Sequence, residues 1–367
     1  MTASARRPGP GIRRGETISG WLFTAPMLVI IGLFLVVPIF MALWVSVSDW
    51  NGNGSPLGSN VGFVGLKNYA TITVGGGLAV RDFGTSLRNS FWYMALVVPI
   101  QTSLALMLAV LVNGQRLKGR GFFRTAFYFP SVTSSVAITV LWLFLFNGTG
   151  AINAVLGWLG VHGPNWFNDP QGIIHALLSV LGVKNGPAAL VDHGFLGVSW
   201  WNWISGPSWA MTALMLMGIF TTSGTFMLLF IAALQNLSSE VDEAAIVDGA
   251  GPWQRFWQVT LPQLRPTIFT VVTLGVIGCW QVFDQIYTGT QGQPGKTTLT
   301  PAYLSYSSAF TSQYWGRGAA IGFILFVVII LFNLLQRSLL VDRSERPARG
   351  SLARRAQALN AKAVVVP

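Results

Sequence analysis

Long apolar runs alternate with short polar or basic stretches along this chain. A helix that crosses a bilayer needs about 20 mostly apolar residues. Six segments fit that pattern: 19–47, 89–112, 125–146, 208–234, 266–283 and 319–336. The fifth is short and is bounded by Arg265 and Asp284. Backbone in lipid must satisfy its own hydrogen bonds, so these runs are expected to be helices. Barrel strands would be about 10 residues long with alternating polarity, and the chain lacks that pattern. The expected fold class is therefore an all-α integral membrane protein with about six transmembrane helices.

Composition agrees: 52% of residues are hydrophobic and 10% are charged, against roughly 25% charged in a soluble domain. The net charge of +11 does not point to nucleic acid, because the basic residues flank the apolar runs. Arg6, Arg7, Arg13 and Arg14 precede the first; Arg116, Lys118, Arg120 and Arg124 separate the second from the third; Arg337, Arg343, Arg346, Arg349, Arg354, Arg355 and Lys362 follow the sixth. By the positive-inside rule both termini are cytoplasmic. This organises the chain as a basic tail (1–18), a six-helix region (19–340) with a long outer loop (147–207) and a cytoplasmic loop (235–265), and a second basic tail (341–367). The tails read as solvated, with anionic lipid within their reach. The first apolar run is too long for a signal peptide, and no small-residue cleavage site precedes Asp49, so it is read as a retained helix.

The outer loop holds an apolar stretch, 173–183, too short to span and expected to be interfacial. Trp158, Trp166, Trp200, Trp201, Trp203 and Trp209 lie in or beside the loop. Two readings stand: an aromatic belt at the headgroups, or a surface that docks a partner or stacks on sugar rings.

The cytoplasmic loop departs from the basic trend with Glu240, Asp242, Glu243 and Asp248 against Arg255 and Arg265. Its order predicts a helix, a sharp break and a second short helix. Ser239 and Asp242 have capping-box spacing, and the acids suit the positive end of the helix dipole. Gly249 is placed to end the first helix in the left-handed conformation. Gly251-Pro252 restarts the chain, and Leu261-Pro262 is expected to stop the second piece. Ala244 and Ala245 leave room for another backbone.

At these residues the chain resembles the membrane subunits of ATP-binding-cassette importers. Their signature is Glu-Ala-Ala, then Gly, Ile and Leu-Pro at fixed spacing; Glu243-Ala244-Ala245, Gly249, Val259 and Leu261-Pro262 keep every spacing, with Val in place of Ile. Asp248-Gly249-Ala250, the run Val282 to Tyr287, the turn at Gly292 to Pro294, Phe129-Pro130 and the stretch Gly65 to Tyr69 narrow the resemblance to the carbohydrate-uptake branch of maltose, glycerol-3-phosphate and multiple-sugar permeases. It covers Trp21 to Leu340. The resemblance implies a type I importer permease fold in the bacterial plasma membrane. It implies a second permease, two ATPase subunits that bind ATP and Mg, an extracytoplasmic sugar-binding protein and a sugar substrate. It also implies that Glu243, Ala244, Ala245, Asp248, Gly249, Leu261 and Pro262 belong to the segment that docks on the ATPase.

Polar groups inside spans call for a functional hypothesis. Gly218, Thr221, Thr222 and Thr225 share one face of the fourth span. That face lines a polar pathway or packs closely on another helix; by resemblance to the maltose permease, sugar-contacting positions fall there. The matching face of the fifth span is Gly275, Cys279 and Phe283, with Trp280, Gln281, Asp284 and Gln285 beside it. Asp284 is expected either to bond a sugar or to pair with another helix.

Other motifs carry no chemistry. Gly295-Lys296-Thr297 ends like a phosphate loop, but Thr290 stands where its first Gly belongs. His162, His175 and His193 lack metal-ligand spacing, and one cysteine, Cys279, excludes an intrachain disulfide. Catalysis within the chain is not expected. Two rival readings are an importer for an amino acid or polyamine, and a membrane enzyme or ion-coupled transporter. The latter usually shows an internal repeat, and none is clear here.

Overall fold

The computed structural model describes residues 14–114 and 117–340. The expected tails lie outside these residues apart from positions 14–18, and so does Arg116. Helix α1 (Arg14–Ile31) continues through a π-turn at Gly32–Val36 into α2 (Val37–Ser46). Next come α3 (Lys67–Thr73), the long α4 (Gly77–Asn113), α5 (Arg120–Val132) and α6 (Ser135–Leu145). The outer loop is built from α7 (Ala151–Trp158), α8 (Ile173–Val180), α9 (Ala188–Val191), the hairpin strands β1 (Gly194–Phe195) and β2 (Val198–Ser199), and α10 (Trp200–Trp203). After it come α11 (Trp209–Gln235), α12 (Ser239–Val247), α13 (Pro252–Arg255) and α14 (Leu261–Gln263). The chain ends with α15 (Arg265–Trp280), α16 (Pro301–Tyr306) and α17 (Trp315–Leu340).

Among the described residues, four helical stretches are long and apolar enough to cross a membrane: Ser19–Ser46, Gly77–Asn113, Trp209–Gln235 and Trp315–Leu339. Two bent pairs bring the total to six: α5 with α6 at 97°, and Pro252–Gln263 with α15 at 66°. The third expected span, 125–146, is thus two helices. Its break has a local cause. Pro130 gives up one helical N–H, and Thr133 turns to extended backbone with φ −78° and ψ 147°. Side-chain hydroxyls then take up carbonyls at the end of α5: Ser131 Oγ donates to Tyr128 O at 2.6 Å and Thr133 Oγ1 to Phe129 O at 3.0 Å. The fifth span ends earlier than expected, at Trp280 rather than Phe283.

Prolines within helical runs follow π-turns twice. Pro38 comes after the turn at Gly32–Val36, and Pro262 after the turn at Phe256–Thr260. A proline ring clashes with the carbonyl four residues back and offers no N–H to it. An inserted residue widens the turn and removes both conflicts. Pro262 therefore does not stop the second cytoplasmic piece; the run continues to Gln263 and turns at Leu264.

The chain forms two compact units. One runs up to Gly84 and includes Phe195–Val198 and Leu304–Ile324. In it, α3 ties down the end of α2: Asn68 Nδ2 donates to the carbonyls of Ser46 at 3.0 Å and Ser48 at 2.9 Å, and the Tyr69 and Ser46 hydroxyls are 2.8 Å apart. The motif from Gly65 to Tyr69 is thus an anchor.

Among the described residues, the other unit comprises Thr85–Gly194, Ser199–Tyr303 and 325–340. Helix α11 is its axis, with buried residues on every side. Met211, Met215 and Ile219 pack with Tyr93 and Val97 of α4, Val276 and Trp280 of α15, and Leu325 and Ile329 of α17. Lower on α11, Met227 and Phe230 meet Ala105, Ala109 and Val271. Lipid gives apolar faces no reason to leave it, so helices in a bilayer associate by close packing at small residues. Gly224 is such a contact: a Cβ there would lie 2.2 Å from the carbonyl oxygen of Phe127 on α5.

Candidate functional site

Two regions of the larger unit hold the candidate residues. The first is the segment after α11. Helix α12 starts at Ser239, so the N-cap position falls on Ser238, one residue earlier than expected, and no side chain caps it. Glu240 and Asp242 occupy its first turn. Its end has the geometry expected of Gly249. The glycine takes φ +82°, its N–H donates to Ile246 O at 3.0 Å, and the Ala250 N–H donates to Ala245 O at 2.9 Å. Those two bonds form a Schellman closure around a left-handed residue. Pro252 then opens α13 with Gly251 as N-cap, where a proline's missing N–H costs nothing.

Asp242 Oδ1 forms an ion pair with Arg255 Nε at 3.2 Å, which links the two arms of the segment. Glu243, Ala244, Asp248 and Gly249 are exposed; Ala245, Leu261 and Pro262 are half-buried. Large apolar side chains stand out beside them, Val247 at 87% and Trp253 at 73% exposure. The segment presents acids, alanines and apolar groups on one protruding turn, a mixture suited to a protein surface.

The second region is a pocket of about 220 Å3 lined by Thr221, Thr222 and Thr225 of α11, Ser131 and Thr133 at the α5–α6 break, and Gln285. A smaller cavity of about 120 Å3 between α4, α11 and α15 shares Thr222 and Gln285 with it. Cys279 and Gly275 line this second cavity. The Thr222 hydroxyl lies 2.5 Å from Gln101 Oε1 and 2.6 Å from Gly218 O and shares its proton between them, and the Tyr93 hydroxyl donates to Gln285 Oε1 at 3.1 Å. Gln101 is only 1% exposed.

The structure redistributes the expected site residues. Thr221, Thr222 and Thr225 share the larger pocket. Gly218 and Gly275 serve as clearances: a Cβ at Gly218 would lie 2.3 Å from the Tyr93 hydroxyl, and one at Gly275 would lie 2.6 Å from Gln101 Nε2. Trp280 is buried against Phe332, ring centroids 5.0 Å apart, and lines neither cavity. Phe283 lies past the end of α15 and packs on Tyr287 at 5.4 Å. Asp284 is exposed and lines neither cavity; its neighbour Gln285 lines both. Sequence reasoning missed Gln101, Tyr93, Ser131 and Thr133. Gln101 carried a usable signal, a lone amide inside a long apolar run.

In the outer loop, the short helix expected within 173–183 is α8. Trp166 is neither belt nor docking surface. It is buried edge-on between Phe146 and Trp209, and its Nε1 donates to Asn153 Oδ1 at 2.8 Å. His175 stacks on Trp201 with centroids 4.4 Å apart.

Comparison with known proteins gives a consistent set of relatives. Residues 101–343 match the family described as binding-protein-dependent transport system inner membrane component. The arabinooligosaccharides transport system permease protein AraP of Halalkalibacterium halodurans is 32% identical over 76% of this chain and 76% of its own length. The lactose transport system permease protein LacF of Rhizobium radiobacter is 27% identical over 89% of this chain and 95% of its own. The trehalose/maltose transport system permease protein MalF of Thermococcus litoralis is 27% identical over 87% and 92%. In fold, a chain from a bacterial ABC transporter involved in the import of the acidic polysaccharide alginate matches with a TM-score of 0.63 at 19% identity, over 91% of this chain and 99% of that one.

Proposed function

The chain belongs to the family of binding-protein-dependent transport system inner membrane components, and from that premise we propose that it is a permease subunit of an ATP-driven importer that carries a sugar into the cytoplasm. The observation that carries this reading is the segment from α12 to α14, an exposed helix closed by a left-handed glycine and restarted by a proline. A segment of that shape fits a groove on a separate protein. The relatives named for lactose, arabinooligosaccharides and trehalose/maltose supply the substrate class. The ion-coupled reading leaves both the segment and the family membership without an account.

In this proposal Glu243, Ala244, Ala245, Asp248 and Gly249 contact an ATPase subunit, and Leu261 and Pro262 set the base of the segment. Two ATPase subunits bind ATP and Mg, so this chain hydrolyses nothing itself. A second permease completes the passage, and an extracytoplasmic binding protein delivers the sugar. Both chain termini then lie in the cytoplasm. Closure of the ATPase pair pulls on α12, and the 66° bend at Leu264 passes that displacement to α15, which lines the smaller cavity. The access change is a bias on a two-state equilibrium, driven by the different affinity of the two states for ATP.

The test is reconstitution. Purified from its native membrane and placed in lipid, the chain should bring an ATPase with it, and the vesicles should import radiolabelled sugar only when ATP is inside with the ATPase and binding protein is outside. Import driven by an ion gradient without any ATPase would refute the proposal.

A further inference from the structure

The two cavities bordering α11 have a feature that the family reading leaves open: among the described residues, no Asp, Glu, Lys or Arg lines either of them. The groups present are hydroxyls and amides. Gln285 spends its carbonyl oxygen on the Tyr93 hydroxyl at 3.1 Å, and the Thr222 hydroxyl shares its one proton between Gln101 Oε1 at 2.5 Å and Gly218 O at 2.6 Å. That leaves each Nε2 with two N–H donors and no protein acceptor among the described residues. Neither Nε2 is a buried unpaired atom; both residues line the smaller cavity, where their amides can donate to an oxygen that enters it. The Thr221 hydroxyl is turned back on its own helix, 3.0 Å from Met217 O, and presents its oxygen as an acceptor.

Resting on the sugar-importer reading, we infer that this half of the passage is built for an uncharged polyhydroxylated ligand and rejects sugars bearing carboxylate or phosphate. Gln285 is the donor that meets the ligand's oxygens, since it lines both cavities. Gln101 is a positioning residue: it orients the Thr222 hydroxyl and is itself held in the room that Gly275 leaves. An anion entering here would shed its water with no cation to receive it, and the desolvation cost would stand uncompensated. A neutral sugar exchanges hydrogen bonds to water for bonds to these hydroxyls and amides at little net cost. The alginate importer matches this chain in fold, which makes the distinction between neutral and acidic sugars a real one for this architecture.

The experiment uses the complete complex with its binding protein in proteoliposomes. Import is measured for lactose, maltose and a neutral arabinooligosaccharide, and for alginate pentasaccharide and a sugar phosphate. Neutral sugar alone should enter. Gln285→Leu should raise the half-saturating neutral sugar about tenfold, equivalent to about 1.4 kcal/mol, while the complex still assembles. Gln101→Leu should raise it less, and Gln101→Glu, which keeps the acceptor for Thr222, should recover part of the loss. Import of the acidic or phosphorylated sugar at rates similar to the neutral ones would overturn the inference and leave the sugar-importer reading standing. Unchanged half-saturation in Gln285→Leu would overturn the role of that residue. Import of a non-sugar solute alone would overturn both.

Discussion

Around Gly249 the chain puts acids and large apolar side chains into solvent; around Thr222 it lines its cavities with amides and hydroxyls and, among the described residues, with no charged side chain. The first region is shaped by backbone. A left-handed glycine, two closing hydrogen bonds and a proline restart determine where α12 ends and which groups protrude. The second is shaped by clearances. Gly218 and Gly275 remove two Cβ atoms so that Tyr93 and Gln101 can reach across from α4. A docking element can therefore be damaged through φ and ψ alone, whereas the pocket is damaged through volume.

That difference can be tested by substitution. The largest effect is expected at Gly224, whose added Cβ would meet backbone on α5 rather than a movable side chain. Gly224→Ala should destabilise the packing of α5 on α11 by about 1–3 kcal/mol, as overpacking does, and lower the thermal midpoint of the purified complex. Next comes Gly249→Ala. A Cβ there meets no atom within 4 Å, so only the φ of +82° opposes it. The strain is about 1–2 kcal/mol, and coupled ATPase activity should drop about tenfold with the thermal midpoint of the spans unchanged. Gly218→Ala displaces only the end of the Tyr93 side chain; half-saturating sugar should rise by about three- to fivefold, roughly 1 kcal/mol, with ATPase docking intact. The smallest effect is Asp242→Asn. Its ion pair with Arg255 is partly exposed, with side chains at 44% and 28%, so the loss should be about 0.2–1 kcal/mol and shrink with added salt. If Gly249→Ala lowered the thermal midpoint of the spans, or Gly218→Ala released the ATPase from the complex, the separation of the two regions would fail.

The same contrast explains what the sequence disclosed. The coupling segment is local: its cap, closure and restart lie within about twenty residues, so Gly249 and Pro252 read correctly from their spacing. Pro262 did not, because the π-turn at Phe256–Thr260 that accommodates it leaves no compositional mark. Apolar length found the spans, but it missed the 97° break at Thr133, where serine and threonine hydroxyls replace lost backbone bonds inside an apolar run. The pocket is non-local. Thr222 was legible as part of a polar face, yet its partner Gln101 lies 121 residues away. Gly218 and Gly275, read as pathway, line the smaller cavity and also give Tyr93 and Gln101 their room, a second role that a glycine at a helix face does not disclose in sequence. Trp280 and Asp284 followed from proximity in sequence, and the end of α15 at Trp280 turns one into the core and the other to the surface.

The most direct measurement is crosslinking from the exposed face of α12. The chain has one cysteine, and Cys279 is buried, so Ala244→Cys supplies the single accessible thiol. A short thiol-to-amine reagent applied to membranes holding the assembled complex should join that position to the ATPase subunit, and ATP should change the yield. The control Val183→Cys, in the outer loop, should give no such product. Crosslinking of the ATPase to position 183 and none to position 244 would contradict the account.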